Sequence, residues 1–259
     1  MNQVVGLFGE QTAAGFILVL GRVGPLFLVA PLFSSKMIPA RARGVLAVAL
    51  AIGLSPLARH DRQLPLDVGS LGTLLGKEIL VGLAFAFAVS AVLAAIQSAG
   101  SFLDTLVGFS FGASIDPVTG AQSNVLAQLY GLLGVMIFVA IGGDALMVQG
   151  LARTYDLVPL TAMPSLALLT AGAVHAFTGI FTAALELAAP VVLALVITDA
   201  AFGMLARVVP QLNVFAVGFP AKIAVGLLLV IASLPFTAGW VSDQLTQSVG
   251  DALHTIRVA

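Results

Sequence analysis

The 259-residue sequence contains no cysteine, one tryptophan, two tyrosines and three histidines. Without cysteine there is no disulfide framework to read, and the redox state of the compartment leaves no mark. His60, His175 and His254 are scattered, and no cluster of His or acidic residues has metal-ligand spacing. Charge is scarce too. Only 9% of the residues are charged, against about a quarter in a soluble domain. The net charge of −1 supplies no field for nucleic acid. No aromatic-plus-basic patch of the kind that holds single strands occurs either.

Apolar residues fill the space that charge leaves. They make up 59% of the chain, and the mean hydropathy is +1.10. So few charges cannot coat a water-facing surface, so the chain reads as an integral membrane protein. The first basic residue, Arg22, lies deep in an apolar stretch. A signal peptide carries its positive charges ahead of its apolar core, so the first helix is expected to stay in the mature protein.

Six apolar blocks stand out, at roughly 13–33, 44–58, 71–98, 124–142, 166–198 and 211–240, on a scale of about 20 residues per span. They predict an all-α membrane protein of about six apolar helices. The second block, at about 22 Å of helix, falls short of a hydrocarbon core. Pro190 is expected to bend or break the fifth, and Pro25, Pro31, Pro56, Pro220 and Pro235 punctuate others. Such residues are tolerated in membrane helices where protein or trapped water satisfies the freed backbone. The helices are therefore expected to be kinked and packed against partners.

The charges inside this apolar frame are candidates for structure or passage. Arg22, Glu186, Asp199 and Lys222 lie within or beside apolar blocks, and Arg207 follows the fifth. Each would cost about 2.5 kcal/mol or more at a lipid-facing helix centre. Interhelical ion pairs or snorkelling explain them most simply; ion or proton passage is the alternative. The positive-inside rule does not orient the chain. Lys36, Arg41 and Arg43 stand on one side of the second block, Arg59, Arg62 and Lys77 on the other. Arg153, Arg207 and Arg257 complete the basic set, and the two sides come out nearly equal.

Catalytic patterns do not assemble. "TYDL" and "IGGDA" suggest an intramembrane aspartyl protease, whose two carboxylates share a water. Ile141 stands where that motif needs its first glycine, and Asp156 follows Asp144, the reverse of the required order. "FGASID" lacks the nucleophile-elbow pattern, and no loop resembles a phosphate cradle. The chain reads as a non-enzyme with no cofactor. Gly72-x-x-x-Gly76 and Gly108-x-x-x-Gly112 fit close helix contacts.

The segment "VGFSFGASIDPVTGAQSN", 107–124, belongs to none of the blocks. It is too rich in Gly, Ser, Asp and Pro for a helix, and too apolar for a solvated loop. Gly108, Gly112 and Gly120 keep its backbone adaptable, and Asp116-Pro117 favours a turn. Phe109, Phe111 and Ile115 supply apolar atoms around Ser110. A re-entrant packing loop and a pore plug both fit these residues.

Four stretches decide between such readings by resemblance. They are "GRVGPLFLVAPLFSSKMIPARARGVLAVAL" (21–50), "KEILVGLAFAF" (77–87), residues 99–144 around the central segment, and "VVPQLNVFAVGFPAKI" (208–223). In order, and over nearly the whole chain, they resemble the FliR/SctT family of type III secretion export-gate subunits. The chain departs from the family's usual residues at Leu106, Val107 and Asp144.

The resemblance implies a bacterial cytoplasmic (inner) membrane protein of the flagellar basal body. Its partners would be FliP-like and FliQ-like subunits in a helical hetero-oligomer, with an FlhB-like subunit, and exported unfolded flagellar proteins would pass the axis. It implies one membrane domain, 1–259, with a FliP-like part over 1–165 and a FliQ-like helical hairpin over 166–259. It also implies that the loop over 107–122 is a pore plug, formed by Gly108, Phe109, Ser110, Phe111, Gly112, Ile115, Asp116 and Pro117. Arg22, Glu186, Asp199, Arg207 and Lys222 are then expected to serve assembly. The rival reading is a secondary transporter with broken helices and midplane carboxylates at Glu186 and Asp199.

Overall fold

A computed structural model of the chain describes residues 9–30, 33–34, 38–59, 63–109, 124–209 and 213–256. Their regular structure is seven α-helices: α1 (Glu10–Val29), α2 (Ala40–Arg59), α3 (Val68–Val107), α4 (Val125–Ala140), α5 (Gly143–Leu157), α6 (Leu166–Val208) and α7 (Val214–Thr255). Six of them match the six apolar blocks. Five are long and apolar enough to cross a membrane, or six if the pair α4 and α5 is counted as one broken span.

Local chemistry sets the ends. α1 stops at Ala30, whose extended backbone is what the following Pro31 demands. The Asp67 carboxylate accepts the Ser70 N–H at 2.8 Å and starts α3, which holds its carboxyl below the usual carboxylate range. α3 ends at Gly108, whose φ of +103° takes it out of helical space. Gly142, at φ +69°, makes the left-handed corner between α4 and α5.

Three expectations change. α2 has 20 residues, about 30 Å, and so reaches the thickness that its apolar block missed. Pro190 does not break α6, which is continuous through it, as α1, α2 and α7 are through their own prolines. A proline removes one backbone bond, and continuous bonding on both sides carries a 43-residue helix across it. α5 is a further helix, which the block reading did not contain.

The chain folds as two compact units. The described residues of 1–91, 142–177 and 245–259 make the first, and those of 92–141 and 178–244 the second. In the first unit Leu18, Val19, Val23 and Leu26 of α1 line one buried stripe, facing a core that includes Val81 and Phe85 of α3 and Met147 and Leu151 of α5. Here α1 and α3 come so close that a Cβ on Gly82 would overlap the Arg22 carbonyl. The core of the second unit includes Ile96 and Leu103 of α3, Leu126 and Tyr130 of α4, and Leu187 and Leu195 of α6. Large apolar side chains also face outward, Ile197 and Leu228 among them.

Candidate functional site

Two arrangements gather polar groups inside this apolar frame, one in each unit. In the first unit, Arg22 projects from α1 and is fully buried. Its Nε donates to Glu78 Oε2 at 2.5 Å, and its Nη2 donates to Glu78 Oε1 at 3.0 Å. This is the two-pronged geometry that suits guanidinium and carboxylate. Nη2 also donates to the Val158 carbonyl at 2.7 Å, and Nη1 to Thr154 Oγ1 at 3.0 Å. The Tyr155 ring lies 4.1 Å from the guanidinium carbon, a cation–π contact.

Lys77, beside Glu78 on α3, shares that carboxylate at 2.5 Å. It divides its three N–H donors between Glu78 and the carbonyls of Pro159, Leu160 and Ala162, at 3.1, 2.8 and 3.1 Å. Those carbonyls follow the C-terminus of α5, where a cation is favourable. The cluster therefore holds two cations and one carboxylate, with backbone carbonyls absorbing the excess positive charge. It ties α1, α3 and α5 together. Every Glu78 oxygen is engaged by cations, so the carboxylate is placed to hold helices rather than to relay protons.

The second arrangement lies where α3 and α4 flank the central segment. Asp104, in the last turn of α3, is 1% exposed. Its Oδ1 accepts the Leu126 N–H and its Oδ2 the Ala127 N–H, each at 2.9 Å. The two helices nearly touch there: a Cβ on Gly100 would meet Leu126 O and Ala127 backbone atoms within 3 Å. Gly108 lies against the Phe219 ring of α7, 2.7 Å from where its Cβ would stand. Gly108 and Phe109 are half-buried. Ser110, Phe111, Gly112, Ile115, Asp116 and Pro117 lie outside the described residues.

The other charges singled out in the sequence are less enclosed within this single chain. Lys222 of α7 donates to Asp199 Oδ2 of α6 at 2.7 Å, with the two side chains 20% and 53% exposed. Glu186 is exposed on α6, and Arg207 is exposed in its last turn, where it complements the helix dipole. Of the five charges, then, only Arg22 is buried in the chain itself. Glu78, Lys77 and Asp104 were missed. The pair Lys77-Glu78 stood in plain view inside "KEILVGLAFAF". Asp104 gave no local signal, because it caps a helix that starts some twenty residues later. Among the described residues, no group of His, Asp and Glu could hold a metal ion.

Long apolar helices, tied together by fully satisfied buried charge, define an all-helical membrane protein. Comparison with known proteins gives the family. Residues 13–248 match the model of the bacterial export proteins, family 1, and the chain belongs to that family. It is 33% identical to the flagellar biosynthetic protein FliR of Bacillus subtilis (strain 168) over 238 residues, 90% of this chain and 89% of that protein. It is 30% identical to FliR of Escherichia coli (strain K12), over 84% of this chain and 83% of that one. The surface presentation of antigens protein SpaR of Shigella flexneri is 27% identical over 82% of each.

Proposed function

We propose that this chain is a non-enzymatic subunit of the flagellar type III protein export gate in the bacterial inner membrane. With FliP-like and FliQ-like subunits, and an FlhB-like subunit alongside, it would form the pore through which unfolded flagellar proteins leave the cell. The observation that carries this reading is the likeness to FliR proteins over most of the length of both chains. The paired helices α6 and α7, joined by Asp199 and Lys222, suit a FliQ-like hairpin over 166–259, and 1–165 would be the FliP-like part. Glu186 and Arg207, exposed in the single chain, are groups that neighbouring subunits would engage during assembly.

The central segment is the plug in this reading. A pore wide enough for an unfolded chain leaks ions unless packed apolar atoms fill its axis. Phe109, Phe111 and Ile115 supply such atoms, and α3 and α4 flank the segment on either side. The first test is purification from membranes with and without FliP- and FliQ-like subunits. A stable complex is expected only with them, and a folded, monodisperse lone chain would overturn the assembly reading. The second is deletion within 108–115. The assembled complex should leak ions while secretion is partly retained; a complex of normal abundance that stays tight would leave the segment a packing loop.

A further inference from the structure

We propose that Asp104 is the positioning residue that fixes the root of the central segment, a role that rests on the plug reading above. The argument begins with the orphan N–H groups of a helix start. The first turn of α4 has donors without intrahelical partners. A helix usually satisfies them with its own N-cap side chain, and Asn124 is well suited to that task. Asn124 makes no such bond. The cap comes instead from Asp104 on α3, whose two oxygens take the Leu126 and Ala127 N–H groups at 2.9 Å each.

A borrowed cap does something that a local one cannot. A cap from Asn124 would stabilise α4 alone. A cap from Asp104 makes the first turn of α4 depend on its place against the last turn of α3. Both carboxylate oxygens are used, so the contact sets orientation as well as distance. The partial positive charge of the α4 N-terminus compensates the buried carboxylate, and among the described residues no cation faces it. Gly100 allows the approach, since any larger residue would hold the α4 backbone off. On the α3 side, the Gly108 N–H returns to the Asp104 carbonyl at 3.2 Å, and its positive φ ends the helix. One residue therefore lies at both flanks of the segment: it sits in the last turn of α3, four residues before the Gly108 that ends the helix, and its side chain caps α4. A segment that must sit on the axis of a pore needs such a fixed base, because a small shift at the base displaces everything beyond it.

The test compares Asp104→Asn and Gly100→Ala in the assembled complex, each alone and combined with the 108–115 deletion. Asp104→Asn is nearly the same shape but turns one acceptor into a donor facing an N–H. Gly100→Ala shifts the same root without touching the carboxylate. The Asp104→Asn complex should assemble normally and the Gly100→Ala complex at reduced yield, because its methyl meets the α4 backbone. Per assembled complex, each should keep secreting and leak about tenfold more than the parent, the factor one lost charge-assisted hydrogen bond carries. In the deleted background neither substitution should add to the leak, which identifies the segment as the route of the effect. A leaky deletion with a tight Asp104→Asn complex overturns the role of Asp104 and leaves the plug standing. So does a leak that adds fully to that of the deletion. Failure of both substituted complexes to assemble overturns it too, by making the contact structural alone. A tight complex after the deletion itself overturns the plug reading, and this role with it.

Discussion

Replacing Glu78 with Ala removes the one carboxylate that two buried cations share. Arg22 loses two charged hydrogen bonds and Lys77 one. The guanidinium and the ammonium are then left facing each other in a site from which water is excluded. Breaking a buried pair in this way costs about 3–5 kcal/mol, or about two to three and a half decades in an equilibrium constant. That is a large share of the roughly 5–15 kcal/mol that holds a typical domain. The assay is the yield of complex extracted with co-expressed partners, followed by the temperature at which that complex is lost. Glu78→Ala should cut the yield severely and lower the temperature. The control is Arg22→Met with Glu78→Met, which removes the pair and leaves Lys77 on its three carbonyls. It should recover part of the loss, because a neutral filling avoids the unpaired charge. A parental yield and temperature for Glu78→Ala would refute the reasoning outright. A double variant as damaged as the single one would show that shape, not charge, matters there.

Gly82→Ala should lower the same yield, by overpacking worth about 1–3 kcal/mol, because the Arg22 backbone stands where the methyl must go. Gly76→Ala, with nothing within 4 Å, should be neutral or stabilising by up to about 1 kcal/mol; a loss there would reveal a partner on that face. Asp67→Ala should speed hydrogen exchange of the Ser70 amide, while Asp67→Asn keeps an acceptor in place. The carboxyl is lowered in the folded chain, so its contribution is complete above the unfolded value of about 4 and fades as pH falls through the folded one. The protection of the Ser70 amide, its exchange rate relative to the intrinsic rate at the same pH, should therefore fall below about pH 4 and stay level between about pH 5 and 8. Asp199→Asn and Glu186→Gln should reduce assembly more than passage per assembled complex; normal assembly with lost export would favour an ion relay instead.

The architecture was legible because membrane helices are written in long apolar runs. The limits of that signal follow from the same fact. The third apolar block ends near residue 98, yet α3 runs to Val107 through Gln97, Ser98, Ser101 and Asp104. α7 likewise continues to Thr255 through Ser242, Asp243 and Gln244. Polar residues there end the apolar run but not the helix. α5 was invisible as a block because Asp144, Arg153 and Asp156 interrupt it. Arg22 could be singled out by its apolar surroundings. Its partner could not, since 56 residues separate it from Glu78 and only folding brings them together. Asp104 is the extreme case: it bonds to backbone N–H groups, which every residue but proline carries, so no side-chain pattern announces the contact.

The lengths of α3, α6 and α7 bear on how the chain is made. They have 40, 43 and 42 residues, about 60–65 Å each, roughly twice the hydrocarbon thickness of a bilayer. An insertion machinery that releases segments of about 20 apolar residues into lipid finds one such run in α3, Ile79–Ile96, between Lys77-Glu78 and Gln97-Ser98, and one in α7, Ile223–Val241, between Lys222 and Asp243. Sliding either helix by a turn would carry a charge into the hydrocarbon, at about 2.5 kcal/mol or more, so each run sets the depth of its own helix. Tilt does not draw in the remainder, because a helix twice too long would have to lie about 60° from the membrane normal, beyond the usual range. About half of each helix is therefore expected to stand outside the hydrocarbon, with water or protein around it.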